Sequence, residues 1–300
     1  MVPLISSMCK GPLGVRQLPR TWWKVTLRKA GLLDSAYPDC SRELDDWCLQ
    51  ALQLDKEKTL GYLRDELPTY LQFEAWVLEQ KGGVLNQARV DRWNDGVEKR
   101  VHVNPGKIDE TYPDIGFDIN KVQITSAVIL NGMQDWGLFH KRDLAVSSDL
   151  TFSISPLISS LDVGPLGVLQ LPRTWFKVLL KTKGLLHADY PDCGGGLDTD
   201  VINVLGLDKT STLAYLRTEC PTYLQFETWV REQTNNQFDW PKIHAWHNFL
   251  LNRIHPDKKR ADIHTTIGRV DNGEIVHGVM LNHLEDWAYA HRAVKQYLKT

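Results

Sequence analysis

The chain carries the same sequence twice, and that constrains its fold more than any other feature. Pro3-Leu4-Ile5-Ser6-Ser7 returns as Pro156-Leu157-Ile158-Ser159-Ser160, and Gly11 to Val15 returns as Gly164 to Val168. Leu18-Pro19-Arg20-Thr21-Trp22 recurs from Leu171 to Trp175, and Tyr37-Pro38-Asp39-Cys40 from Tyr190 to Cys193. Pro68 to Glu74 recurs as Pro221 to Glu227. All share one register, and roughly 60% of positions match across the first half of each copy, so chance is excluded. A repeat of about 150 residues is a whole domain, not a solenoid unit. The expected organisation is two homologous domains, residues 1–150 and 151–300, meeting near the Ser-rich stretch from Ala145 to Ser155.

The later part of each copy has drifted further, which makes its surviving matches informative. Trp93, Arg100 and His102 correspond to Trp246, Arg253 and His255. After small gaps Ile115-Gly116 matches Ile267-Gly268. Asn131, Asp135, Trp136 and His140 match Asn282, Asp286, Trp287 and His291.

Three hundred residues leave ample core for two such units. Apolar residues at 42% and charged ones at 24% describe a globular chain, and no stretch is long and apolar enough to span a bilayer. A formal charge of -2 argues against nucleic acid as a partner. The five cysteines are odd in number and lack C-x-x-C spacing, and the N-terminus lacks the features of a signal peptide. A cytoplasmic protein with reduced thiols is expected. Eleven tryptophans suit aromatic or apolar pockets as well as plain core.

The local patterns are mostly helical. Pro19 to Ala30 has Pro in its first turn and Gly31 at its end. Asp55 or Thr59 can open a helix through Leu63, Thr69-x-x-Gln72 is a capping box, and Gln87–Val101 and His244–Ile254 read as helices. Met280 to Leu298 reads as a terminal helix. The run from Ile267 to Val276, with Asn272-Gly273 between short apolar segments, suggests a β-hairpin or a loop. The fold class expected is mainly α: two homologous helical domains in a pseudo-twofold arrangement, with a short hairpin in each. A homodimer fused into one monomeric chain would look like this.

With its L-P-R opening, Tyr-Pro/Cys turn, Leu-Asp helix and W-V ending, each copy resembles the bacterial domain of unknown function 5069. The resemblance implies a shared fold for each copy and assigns no catalytic residue. Members of that family are single copies, and the tandem arrangement here departs from them.

The sharpest chemical pattern is Asp135-Trp136-x-x-x-His140 with its copy Asp286-Trp287-x-x-x-His291. On a helix Trp and His share a face, and a carboxylate and imidazole beside an aromatic wall could perform acid–base work. The competing reading is that Asp caps a neighbouring element while Trp and His pack in the domain interface. Arg20 and Arg173 fall in a first helical turn, against the dipole preference, so each needs a partner: a carboxylate such as Asp39, or an anionic ligand group. Tyr37, Asp39 and Cys40, with Tyr190, Asp192 and Cys193, could supply an acid, a carboxylate and a thiol, but no His lies near in the first copy and His187 has no counterpart there, which favours a small thiol packed beside a turn. Eight of the ten histidines lie in the second copy, where His244 and His247 share a helix face, and His255, His264, His277, His283 or Asp286 could join them around a metal. No His-x-x-x-His signature supports that, so no metal and no cofactor are expected.

These residues suggest a cofactor-independent enzyme acting on a small apolar or aromatic molecule by acid–base chemistry: a lyase, isomerase, cyclase or hydrolase. Asp286 and His291, with Asp135 and His140, are the candidate catalytic groups. Trp246, Trp287, Arg173 and Tyr190 are the candidate substrate contacts. The alternative is a non-enzymatic module whose tryptophans line a groove for a small molecule or a protein.

Overall fold

The computed structural model describes residues 1–118, 120, 124–145 and 153–299. Among them fourteen α-helices form and no strand does; the only β pairings are the isolated bridges Val101–Ser126, Ile154–Leu186 and Ile254–His277. The first copy contains α1 (Leu18–Lys29), α2 (Leu44–Ala51), α3 (Lys56–Glu66), α4 (Tyr70–Gln80), α5 (Gln87–Glu98), α6 (Pro105–Ile115) and α7 (Ala127–Leu138), the last continued by a π-turn over Phe139–Asp143. The second contains α8 (Leu171–Thr182), α9 (Leu197–Val204), α10 (Lys209–Glu219), α11 (Tyr223–Gln233), α12 (Trp240–Asn252), α13 (Asp257–Thr266) and α14 (Gly278–Tyr297). The fold is mainly helical. No helix among the described residues is long and apolar enough to cross a membrane.

Helices α1 and α8 are buried on every side, which demands an answer for their polar residues. Gln17, Thr21 and Lys24 recur at helical spacing and converge on Asp45, with Nε2, Oγ1 and Nζ donating at 2.7, 2.7 and 2.6 Å. Gln170, Thr174 and Lys177 do the same to Asp198 at 2.9, 2.9 and 2.5 Å. Burial works to raise the Asp45 pKa, but Lys24 and the surrounding donors hold it below the usual value. Both capping boxes form: Thr69 caps α4 and Thr222 caps α11, each with its Gln three residues on.

Between α13 and α14 the expected hairpin is a loop. Gly273 takes the positive φ of 78° that the Asn-Gly turn requires, but the flanking residues do not pair as strands. Side chains hold the segment instead: Arg269 binds Glu274, and Arg260 Nε donates to Asp271 at 2.5 Å. Of the expected domain junction, residues 146–152 lie outside the described residues.

Candidate functional site

The Asp-Trp-x-x-x-His motifs lie on α7 with its π-turn and on α14, and the aspartate of each faces a different way from the Trp and His. Asp135 receives Arg20 in a bidentate pair at 2.6 and 3.2 Å, and the Tyr37 hydroxyl at 2.8 Å. Asp286 receives Arg173 at 2.8 and 3.1 Å and Tyr190 at 2.6 Å. Each arginine also donates to carbonyls of the opening segment, Pro3 and Ile5 or Pro156 and Ile158. Arg20 therefore meets Asp135, 115 residues away, and not Asp39, which pairs with Arg64 at 2.6 Å. Burial pushes the Asp286 carboxyl up although Arg173 and Tyr190 oppose it. With Arg173, Asp286 and Tyr190 satisfied by one another, these groups tie the opening segment, the first helix and the last helix of the copy together.

Trp and His of the same motif reach into the other copy. Trp287 meets Tyr70 edge-on at 4.7 Å, and Trp136 meets Tyr223 at 4.9 Å. His291 Nε2 donates to the Leu67 carbonyl at 2.9 Å, and His140 Nε2 to the Cys220 carbonyl at 2.7 Å. Leu67 and Cys220 are the left-handed cap residues that end α3 and α10, where carbonyls lack helical partners. Asp286 and His291 are thus not brought to one site, nor are Asp135 and His140. Trp246 is buried and donates its Nε1 to the Leu169 carbonyl at 3.1 Å.

Among the described residues no three His, Cys, Asp or Glu side chains are grouped to hold a metal. His247 Nε2 instead accepts the Leu169 amide at 3.3 Å.

A cleft of about 980 Å³ opens between the two copies, within the range of small-molecule sites. Its lining shows where the copies have diverged. From Pro3 to Trp22 sixteen of twenty positions are identical to those from Pro156 to Trp175. The four that differ are Met8, Cys9, Lys10 and Arg16, facing Leu161, Asp162, Val163 and Leu169 in the alignment, and all eight residues line the cleft. A fifth difference lies there too: His283 stands where the first copy has Gly132.

Ser159, Asp162 and His283 form one connected group. Ser159 Oγ accepts the Leu161 amide at 2.9 Å and lies 2.7 Å from His283 Nε2; the tautomer that gives the hydroxyl an acceptor has Ser159 donating to Nε2. The imidazole accepting there carries its own proton on Nδ1, which is buried and has no partner. Burial, reinforced by Arg173 and His277, pulls the His283 pKa down to about 3, so the ring is neutral. Asp162 accepts the Ser159 amide at 2.8 Å and the Ser6 hydroxyl, and burial pushes its carboxyl up to about 6. Cys9 sits at the aligned position, its thiol raised well above the ordinary value by burial and by Asp162, which keeps it protonated. At the rim Arg16 pairs with Glu98 at 2.8 Å and Arg269 with Glu274.

A second pocket of about 690 Å³ lies between α7 and α11, where His140 and the stacked Tyr215–Trp229 pair are found. Sequence reasoning picked out neither Ser159 nor Asp162, and His283 only as a metal ligand. The signal that points to them is the cluster of mismatches inside a nearly invariant peptide. No family model, curated protein or solved structure matches the chain.

Proposed function

We propose that the chain is a cofactor-independent enzyme that moves protons on a small, largely apolar molecule held in the 980 Å³ cleft. The observation that carries this reading is the coincidence of divergence and cavity. Two copies agree almost everywhere in their opening peptide, every position at which they differ there lines the cleft, and the differences leave Asp162 and His283 on one side only. A buried carboxyl titrating near neutrality is suited to taking and returning protons. Apolar walls such as Val128, Trp136, Leu161 and Met280 suit an apolar substrate body.

The architecture proposed with it is a fused pair of helical domains in a pseudo-twofold arrangement, working as a monomer in the cytoplasm. Support comes from contacts that recur in register: Arg20–Asp135 with Arg173–Asp286, and His140–Cys220 with His291–Leu67. Val128 and Val279, equivalent in the alignment, both line the cleft. Likeness to the domain of unknown function 5069 enters as a guide to the fold of each copy alone.

A thermal-shift screen of small apolar metabolites tests the reading. Compounds that stabilise the wild-type chain should lose their effect on Met280→Trp, which puts a bulkier side chain into the cleft wall, and keep it on His140→Ala, which alters the second pocket. The reverse pattern would place the ligand in the other pocket and defeat the proposal.

A further inference from the structure

Ser159 holds two chemically different groups at one point of the cleft. Its amide binds the Asp162 carboxylate and its hydroxyl binds the His283 ring, so both groups are held by one residue. With Nε2 accepting from Ser159, the other edge of the His283 ring is a donor: the side chain lines the cleft, and its buried Nδ1 meets no partner among the described residues. Among the described residues the other buried polar atom without a partner on a side chain lining this cleft, Arg16 Nε, is also a donor. An occupant that satisfies them must bring acceptor oxygens. The two rim arginines are already neutralised by Glu98 and Glu274 and do not themselves require a charged occupant.

We infer that Asp162 and His283 form an enolising pair, and that the substrate is a small, largely apolar ketone or aldehyde. The inference rests on the cleft being the functional site. The substrate carbonyl oxygen accepts from His283 Nδ1–H while the carbon beside it presents a hydrogen to Asp162. The carboxylate removes that proton; the C–H electron pair becomes the carbon–carbon double bond, and the carbonyl π pair moves to oxygen. The resulting enolate is held by the neutral imidazole, which donates a hydrogen bond without surrendering its proton. Asp162, now protonated, returns the proton to the same carbon or to another, giving exchange or isomerisation with no co-reactant. A neutral imidazole facing a carboxylate base is a chemically matched arrangement for this step. Ser159 is a positioning residue, since it orients both groups and touches no reacting atom. Cys9 has no part in the reaction: burial keeps it a thiol.

Cyclohexanone and phenylacetone are the probes. In D₂O with the full chain, their α-proton NMR signals should disappear at a rate proportional to protein concentration. Asp162→Asn should slow this by at least about a hundredfold, the scale of a lost general base. His283→Phe should slow it by about a hundredfold or more, the scale of a lost oxyanion donor. Saturation-transfer NMR should still detect ketone binding to Asp162→Asn. Nitrogen-15 NMR of the wild-type chain should show His283 neutral and protonated on Nδ1 at pH 7. A ketone that binds wild type without exchanging, or exchanges equally fast with Asp162→Asn, would overturn the inference and leave the cleft assignment standing. An Nε2-protonated or cationic His283 would overturn it as well. Failure of both ketones to bind also defeats it, while the cleft itself is judged separately by the Met280→Trp screen.

Discussion

Glu74 and Glu227 should make the protein less stable as pH rises through the weakly acidic range. Each is buried on the helix that follows a capping box, accepts the hydroxyl of its own Tyr70 or Tyr223 at 2.8 Å, and accepts an amide from Leu13 or Leu166. Burial dominates those donors and pushes both carboxyls from 4.5 up to about 7. A folded pKa above the unfolded value means the native state binds more protons between the two. Stability is therefore full below pH 4.5 and declines as pH rises toward 7. A shift of this size corresponds to about 3 kcal/mol per residue as an order of magnitude. Histidines with lowered pKa, among them His102, His255 and His291, act in the opposite direction, so wild type alone does not isolate the effect. Glu74→Gln does, because it keeps the shape and removes the titration. Urea unfolding at pH 4.5, 6 and 8 should show Glu74→Gln gaining on wild type by about 3 kcal/mol between the extremes. A difference that stays constant across that range would refute the reasoning.

Two further outcomes follow from the paired contacts. Arg173→Met leaves the Asp286 carboxylate buried without its cation and should destabilise by about 3–5 kcal/mol in chemical denaturation, with Arg20→Met behaving alike through Asp135. His140→Ala and His291→Ala each remove one hydrogen bond between the copies and should lower the unfolding midpoint similarly, while ketone exchange in the cleft persists in both.

What the sequence discloses here follows how far apart the interacting residues are. The capping boxes at Thr69 and Thr222 and the Pro-initiated α1 and α8 depend on residues within one turn, and those are legible in a single chain. The partner of Arg20 is not, because 115 residues separate it from Asp135, and the nearer Asp39 is claimed by Arg64. Helical spacing in Asp286-Trp287-x-x-x-His291 describes one helix face truthfully and still misleads about chemistry. Asp286 turns to its own copy, whereas His291 reaches the cap of α3 in the other. The hairpin expectation fails for a related reason: Asn272-Gly273 makes its turn, but Arg260 and Arg269 bind the acidic residues of the loop and no strand partner is available. The cleft was readable only as a difference between copies, at Cys9 against Asp162 and Gly132 against His283.

A fused pair, as proposed above, would make such a difference possible. In a homodimer every substitution appears twice, so a cleft on the symmetry axis would be lined by two copies of each residue. Asp162 in both subunits would place two buried carboxyls around one cavity, and repulsion would drive one of them to stay protonated. His283 in both would likewise put a second imidazole where Gly132 now leaves space. On the fused-pair reading proposed above, one chain escapes that constraint. The first copy keeps Ser6 as a donor to Asp162 and supplies an inert thiol at Cys9, while the second supplies the base and the neutral donor. A carbonyl compound is itself unsymmetrical, with oxygen at one end of the reacting bond and an acidic C–H beside the other. The asymmetry of the lining matches that of the chemistry proposed for it, whereas the cross-copy contacts of His140 and His291, which serve packing, have remained the same in both copies.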